Sequence, residues 1–211
     1  VYDGTAHKWA PAVTDANGKP LVEGVDYSVS YSTNDFTNVT GDITVTVTGT
    51  GNYSGTVTKT YKITKAPLAV KALSAAKVYD GSPLTAAGSI EGLVEGETAA
   101  AKTEGSQTEA GTSDNKVVGI AWGTAKEGNY YIASQSDGEL TVTAKAITAD
   151  GMSVGALPDV TYNGADQAQK PEVKDVSKTL VEGVDYDLAY SDDVIDAGTV
   201  TVIRFPAPLT V

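Results

Sequence analysis

The residues able to do chemistry are few. His7 is the single histidine in 211 residues, and there is no cysteine. A nucleophile–base pair or a transition-metal site would have to be built around that one ring. Side chains with carboxyl or amide oxygens gather at Asp192, Asp193 and Asp196, and again at Asn34, Asp35 and Asp42. Neither cluster has the regular alternation of oxygen ligands that a calcium loop uses, so both read as solvated acidic loops. No glycine loop of the phosphate-cradling kind occurs. We expect no catalysis, no metal and no cofactor.

Surface recognition demands less than catalysis, because an exposed aromatic ring is sufficient to contact a sugar or a protein. Trp9, Trp122 and Tyr131 are the candidates. Each lies outside the tyrosine positions that recur along the chain, and Gln169 stands where a third copy would repeat Trp9. Charge narrows the partners. With 27 acidic against 15 basic residues, the net charge of −12 repels nucleic acid and anionic membranes alike. No apolar run approaches the roughly 20 residues that cross a bilayer.

The elements that must hold these residues repeat. Val1-Tyr2-Asp3-Gly4 returns as Val78-Tyr79-Asp80-Gly81 and, altered, as Thr161-Tyr162-Asn163-Gly164, with the tyrosines 77 and 83 residues apart. Gly51-Asn52-Tyr53 returns as Gly128-Asn129-Tyr130. Leu21-Val22-Glu23-Gly24-Val25-Asp26-Tyr27 returns unchanged at residues 180–186. Units of that length are too long for a solenoid and describe separate small domains. We place modules at 1–65 (lacking its first strand), 66–145 and 146–211. The third passes from Val200-Thr201-Val202 to Ala207-Pro208-Leu209, an echo of Ala66-Pro67-Leu68. It therefore lacks any counterpart of residues 51–65.

Strand language runs throughout. Asp42-Ile43-Thr44-Val45-Thr46-Val47-Thr48 alternates apolar and hydroxyl residues, and Tyr27-Ser28-Val29-Ser30-Tyr31 does the same. Val57, Tyr61 and Ile63 are expected on one inner face, Leu140 and Val142 on another. Asp-Gly supplies a turn in the repeated opening, its glycine taking positive φ. In Gly-Asn-Tyr we expect a left-handed asparagine and a tyrosine returning to the core. The fold class is all-β: tandem small Ig-like β-sandwich modules in an extended array, with β-grasp-like modules as the alternative. Short junctions at Lys65-Ala66-Pro67-Leu68 and Ala144-Lys145-Ala146-Ile147 leave little slack, and each module should add roughly 25–40 Å of reach.

The Tyr-Asp-Gly opening, Gly92-Leu93-Val94-Glu95-Gly96 and the closing Gly128-Asn129-Tyr130 with Gly138-Glu139-Leu140-Thr141-Val142 resemble the MBG-type repeats, mostly-β and glycine-rich. Copies one and three are similar to a sister repeat with the pattern Gly-x-Asp-Tyr-x-Val-x-Tyr, at residues 24–31 and 183–190, with Leu188 at the Val position. The resemblance implies an exported protein of the bacterial cell surface or cell wall, built of tandem modules. It transfers no catalytic or binding residue. The expected function is a stalk holding an adhesive head away from the wall, in a monomeric chain. The second expectation is that the modules themselves bind host glycan or matrix protein. A spontaneous Lys–Asn bond through Lys59 or Lys62, of the kind some Gram-positive surface domains carry, is the rarer alternative and not the expectation, since lysine is seldom buried.

Overall fold

A computed structural model describes residues 1–206, with the backbone alone for 203–206. The echo of residues 66–70 at 207–211 lies outside the described residues. The chain is all-β and sandwich-like, with several sheets. Its strands are β1 (Tyr27–Tyr31), β2 (Asp42–Gly49), β3 (Thr56–Lys62), β4 (Ala66–Ala72), β5 (Ala75–Val78), β6 (Gly88–Glu91), β7 (Ala99–Glu104) and β8 (Gly111–Trp122). Then come β9 (Tyr130–Ser136), β10 (Gly138–Thr143), β11 (Met152–Val154), β12 (Val173–Asp175), β13 (Lys178–Thr179), β14 (Tyr186–Tyr190) and β15 (Val202–Pro206). Among the described residues no helix is long and apolar enough to cross a membrane.

Alternation decides which faces are inside. In β2, Ile43 and Val45 are buried while Thr44 and Thr46 stay half-exposed. In β4, Ala66, Leu68, Val70 and Ala72 are all buried on one face. Strands pair as β1-β2-β3, β6-β4-β9, β5-β10-β8-β7, β11-β12-β13 and β14-β15. β4 and β9 run parallel, whereas β1–β2, β2–β3, β4–β6, β7–β8, β11–β12, β12–β13 and β14–β15 are antiparallel.

The chain folds as two compact units. The first comprises Val1–Ala75, Thr85–Ser106 and Ser113–Leu140. Its core draws on the first two repeats together: Tyr2, Ile43 and Ile63 cluster with Leu68, Val70, Val117 and Tyr130. The second comprises Ala76–Leu84, Gln107–Thr112 and the chain from Thr141 on. Val142, Val173 and Tyr186 are buried within it. The bounds of the compact units are therefore drawn differently from the repeat boundaries at 65/66 and 145/146.

The repeated motifs are backbone devices. In residues 21–27 the Asp26 carboxylate accepts from Val22 N–H at 2.9 Å, and Gly24 N–H donates to Tyr27 O at 2.7 Å. In residues 180–186 the Asp185 carboxylate accepts from Val181 N–H at 2.8 Å, and Gly183 N–H donates to Tyr186 O at 2.8 Å. Gly24 and Gly183 take φ of 82° and 78°, which the clasp requires and a side chain would resist. The opening turn is likewise shared: Asp3, Asp80 and Asn163 each accept from the amide two residues on, at 2.9 Å. That is an Asx turn in all three copies.

Three local expectations need correction. Val57 is exposed, because it sits at the far end of edge strand β3, opposite the half-buried Val47; Ile63 is buried and Tyr61 half-buried as expected. Among the described non-glycine residues only Val176 has positive φ, so neither Asn52 nor Asn129 is left-handed; Gly51, at 64°, makes the first turn instead. Tyr130 returns to the core, whereas Tyr53 stays 36% exposed.

Candidate functional site

The three aromatic candidates separate. Trp9 is 47% exposed, and its backbone is pinned on both sides. Its N–H donates to the Tyr61 hydroxyl at 3.3 Å, and its carbonyl accepts from Tyr31 Oη at 2.9 Å. Beside it, Lys8 Nζ lies 4.7 Å from the Tyr31 ring centre and 5.3 Å from that of Phe36. Those two rings meet edge to face at 5.1 Å. Tyr31 and Phe36 are half-buried and pack against the core, so the Trp9 ring is the exposed aromatic of this group.

Trp122 is half-buried and stacks on Tyr130 at 6.1 Å, packing against the core of the first unit. Tyr131, on the opposite side of β9 from buried Tyr130, is 51% exposed next to exposed Ile132. Among the described residues no ring contact joins Trp9, Trp122 and Tyr131.

The first unit also holds a polar knot that sequence reasoning missed. Tyr2 Oη donates to Glu97 Oε1 at 2.5 Å, and Tyr130 Oη donates to the other oxygen of the same carboxylate. The two rings are edge to face at 5.4 Å. Burial, reinforced by the Glu97 hydrogen bond, pushes the Tyr130 hydroxyl up to about 12 and raises Tyr2 in the same direction. Asn129, buried beside them, accepts from Val39 N–H and donates to Asn38. The repeated tyrosines could be read from sequence; Glu97 carried no signal, since it belongs to the second repeat alone.

Groups that could do chemistry are engaged otherwise. His7 Nε2 faces Asp3 at 2.9 Å, with Asp3 itself exposed. The Thr5 hydroxyl and amide, together with His7, hold the Asp3 carboxyl at about 2. Thr5 thus donates to the carboxylate and is not presented to the imidazole. Sequence reasoning also missed that Gly151-Met152-Ser153-Val154-Gly155 has the spacing of a nucleophile elbow. That motif needs a strand–turn–helix context, and here Ser153 lies inside β11, paired with Lys174 of β12. Among the described residues no three His, Cys, Asp or Glu side chains are grouped to hold a metal. Asp35 instead accepts from Thr37 and Asn38, which lowers its carboxyl. Lys59 and Lys62 are exposed on β3, while the buried Asn115 amide donates to Leu73 and Ala86 carbonyls.

A groove of about 360 Å³ lies in the second unit, lined by Tyr162, Gln167, Gln169, Tyr190, Val200 and Val202 among others. Tyr162 is 58% exposed there. Compared with family models, curated proteins and solved structures, the chain matches none.

Proposed function

We propose that this chain is a structural spacer of a bacterial cell-surface protein, extracellular and monomeric, which positions an adhesive region and performs no catalysis itself. One observation carries the reading. The polar residues of the repeated turn, Asp3, Asp80 and Asn163, and the aspartates of the repeated clasp, Asp26 and Asp185, bond the chain's own backbone. What is repeated is a way of holding a fold. The architecture that goes with this reading is a tandem of Ig-like modules of the MBG type. Tyr2, Tyr130 and Glu97 tie the first two repeats together, which would stiffen such a rod. The net charge of −12 opposes self-association and contact with nucleic acid or anionic lipid.

Glycan arrays and immobilised matrix proteins test the spacer directly, with the intact chain as analyte. The expected result is no reproducible hit, together with an elongated small-angle scattering profile and a monomer by sedimentation. A compact globular profile would count against it.

The exposure of Trp9 favours a second reading, in which the modules themselves bind host glycan or protein. A hit abolished by Trp9→Ala would establish that function in place of the first.

A further inference from the structure

Strand pairs differ in how they meet a pull along the chain. In β1–β2 the residue where the chain enters, Tyr27, is paired with the residue where it leaves, Gly49. In the same way β2–β3 sets Asp42 opposite Lys62, and β11–β12 sets Met152 opposite Asp175. Tension on such a hairpin acts at one end and opens its hydrogen bonds one after another. β4 and β9 are arranged otherwise. They run parallel, with Ala66 opposite Tyr130 and Lys71 opposite Ser136, and both strands lie within the first unit. The chain enters this pair at Ala66 and leaves it at Ser136, which stand at opposite ends of the ladder. Tension therefore draws the two strands past each other along their length. The evenly spaced bonds of a parallel ladder are then loaded together.

Three further features oppose that slide. β4 buries Ala66, Leu68, Val70 and Ala72 on one face, and a shift of one residue would turn that whole set away from the core. The register also steps between Leu68 and Ala69: Leu68 pairs with Ile132 and Ala69 with Ser134, so Ala133 has no partner on β4. A bulge of this kind pins a ladder in one register. Lastly, β9 is anchored where it begins. Tyr130 is 2% exposed, and its hydroxyl donates to Glu97 and accepts from Val94 N–H at 3.0 Å.

We propose that β4 and β9 form a load-bearing clamp, which resists tension in shear and keeps the chain between Ala66 and Ser136 from extending. The clamp deepens the spacer reading and rests on it for the source of the tension. The two fail separately. A weak clamp would leave a spacer that is slack under load, whereas a glycan or matrix hit would leave the strength of the strand pair untouched.

Single-molecule pulling on the intact chain reads the clamp, because handles can be fixed at introduced cysteines in a sequence that has none. Lys65→Cys with Ser136→Cys loads the pair in shear. Lys71→Cys with Ser136→Cys, at positions that stand opposite each other, peels it. All three residues are exposed, so neither variant disturbs the core. The expected result is a rupture force several-fold higher in shear than in peel at one loading rate, since forced unfolding is governed by the unfolding barrier. Both ruptures should release roughly 220 Å of chain, at about 3.4 Å per residue. Equal forces in the two directions overturn the proposal. So does a shear rupture weaker than that of the β2–β3 hairpin pulled through Asp42→Cys and Lys62→Cys. Release in shear by several short steps would overturn it as well, since the ladder would then be parting bond by bond.

Discussion

The first and third repeats share seven consecutive residues and the same clasp, yet they bury very different amounts. In both, an aspartate four residues on closes residues 21–27 or 180–186 onto themselves, and the following tyrosine, Tyr27 or Tyr186, goes inside. The opening tyrosines diverge completely, with Tyr2 enclosed and Tyr162 open. Local motif and enclosure are thus separable. The clasp needs only its own few residues, whereas burial of Tyr2 and Ile43 needs partners from β3, β4 and β9, far along the chain.

The strongest way to break this comparison is to hollow both copies at the same place. Ile43→Ala removes a fully buried side chain and should cost about 2–5 kcal/mol. β14 and β15 pair Tyr190 with Val202 as β1 and β2 pair Tyr31 with Val45, so half-buried Val200 is the counterpart of Ile43, and Val200→Ala should cost about 1 kcal/mol or less. Segment-resolved hydrogen exchange under urea is the suitable readout, since two compact units need not unfold as one transition. Equal losses at the two sites would dissolve the distinction between a closed and an open repeat.

Next in size is the knot of Tyr2, Tyr130 and Glu97 in the first unit. Glu97→Ala strands two tyrosine hydroxyls that now share its carboxylate, and should cost about 1–3 kcal/mol. Tyr162→Phe, at the matching opening position, should change stability by less than about 0.5 kcal/mol. Thermal melts of both variants check the pair. The same knot sets an alkaline limit. Tyr130 titrates higher in the folded state, about 12, than the ordinary value near 10. The protonated ring is therefore the one the fold favours, and the unfolded chain gives up its proton first. This stabilisation is complete below pH 10 and lost as pH climbs from about 10 to about 12. Tyrosinate absorbance followed beside circular dichroism should show residues 1–75 loosening in that window, and Glu97→Ala should bring the loss to lower pH.

Much of this was legible in the sequence, for physical reasons. Period-two alternation in β2 announces its inner face because each residue's side is fixed by the pleat, and Ile43 and Val45 obey it. Asp-Gly at residues 3–4 and 80–81 reads as a turn because the hydrogen bond closes within three residues. Glu97, Asn129 and the stacking of Trp122 on Tyr130 were not legible, since their partners stand some 8 to 95 positions away. Val57 misleads for a related reason: its alternation is right for a strand, but no neighbour covers that end of β3. Trp9 and Tyr131 are exposed, which sequence composition cannot determine for any single aromatic residue.

The smallest expected effect sharpens the comparison from the other side. Asp26 and Asp185 make the same hydrogen bond, at 2.9 and 2.8 Å, in repeats whose enclosure differs. If the clasp is a local device, Asp26→Ala and Asp185→Ala should each cost about 1 kcal/mol, as loss of a capping carboxylate does. Asn at either position retains an acceptor and should recover most of it. Amide exchange at Val22 and Val181 reports each clasp by itself, so the two losses can be set side by side without reference to global unfolding. A much larger loss at Asp26 would mean that the enclosed core, and not the motif, holds the first clasp shut, and that identical sequence in the two repeats hides unequal mechanics.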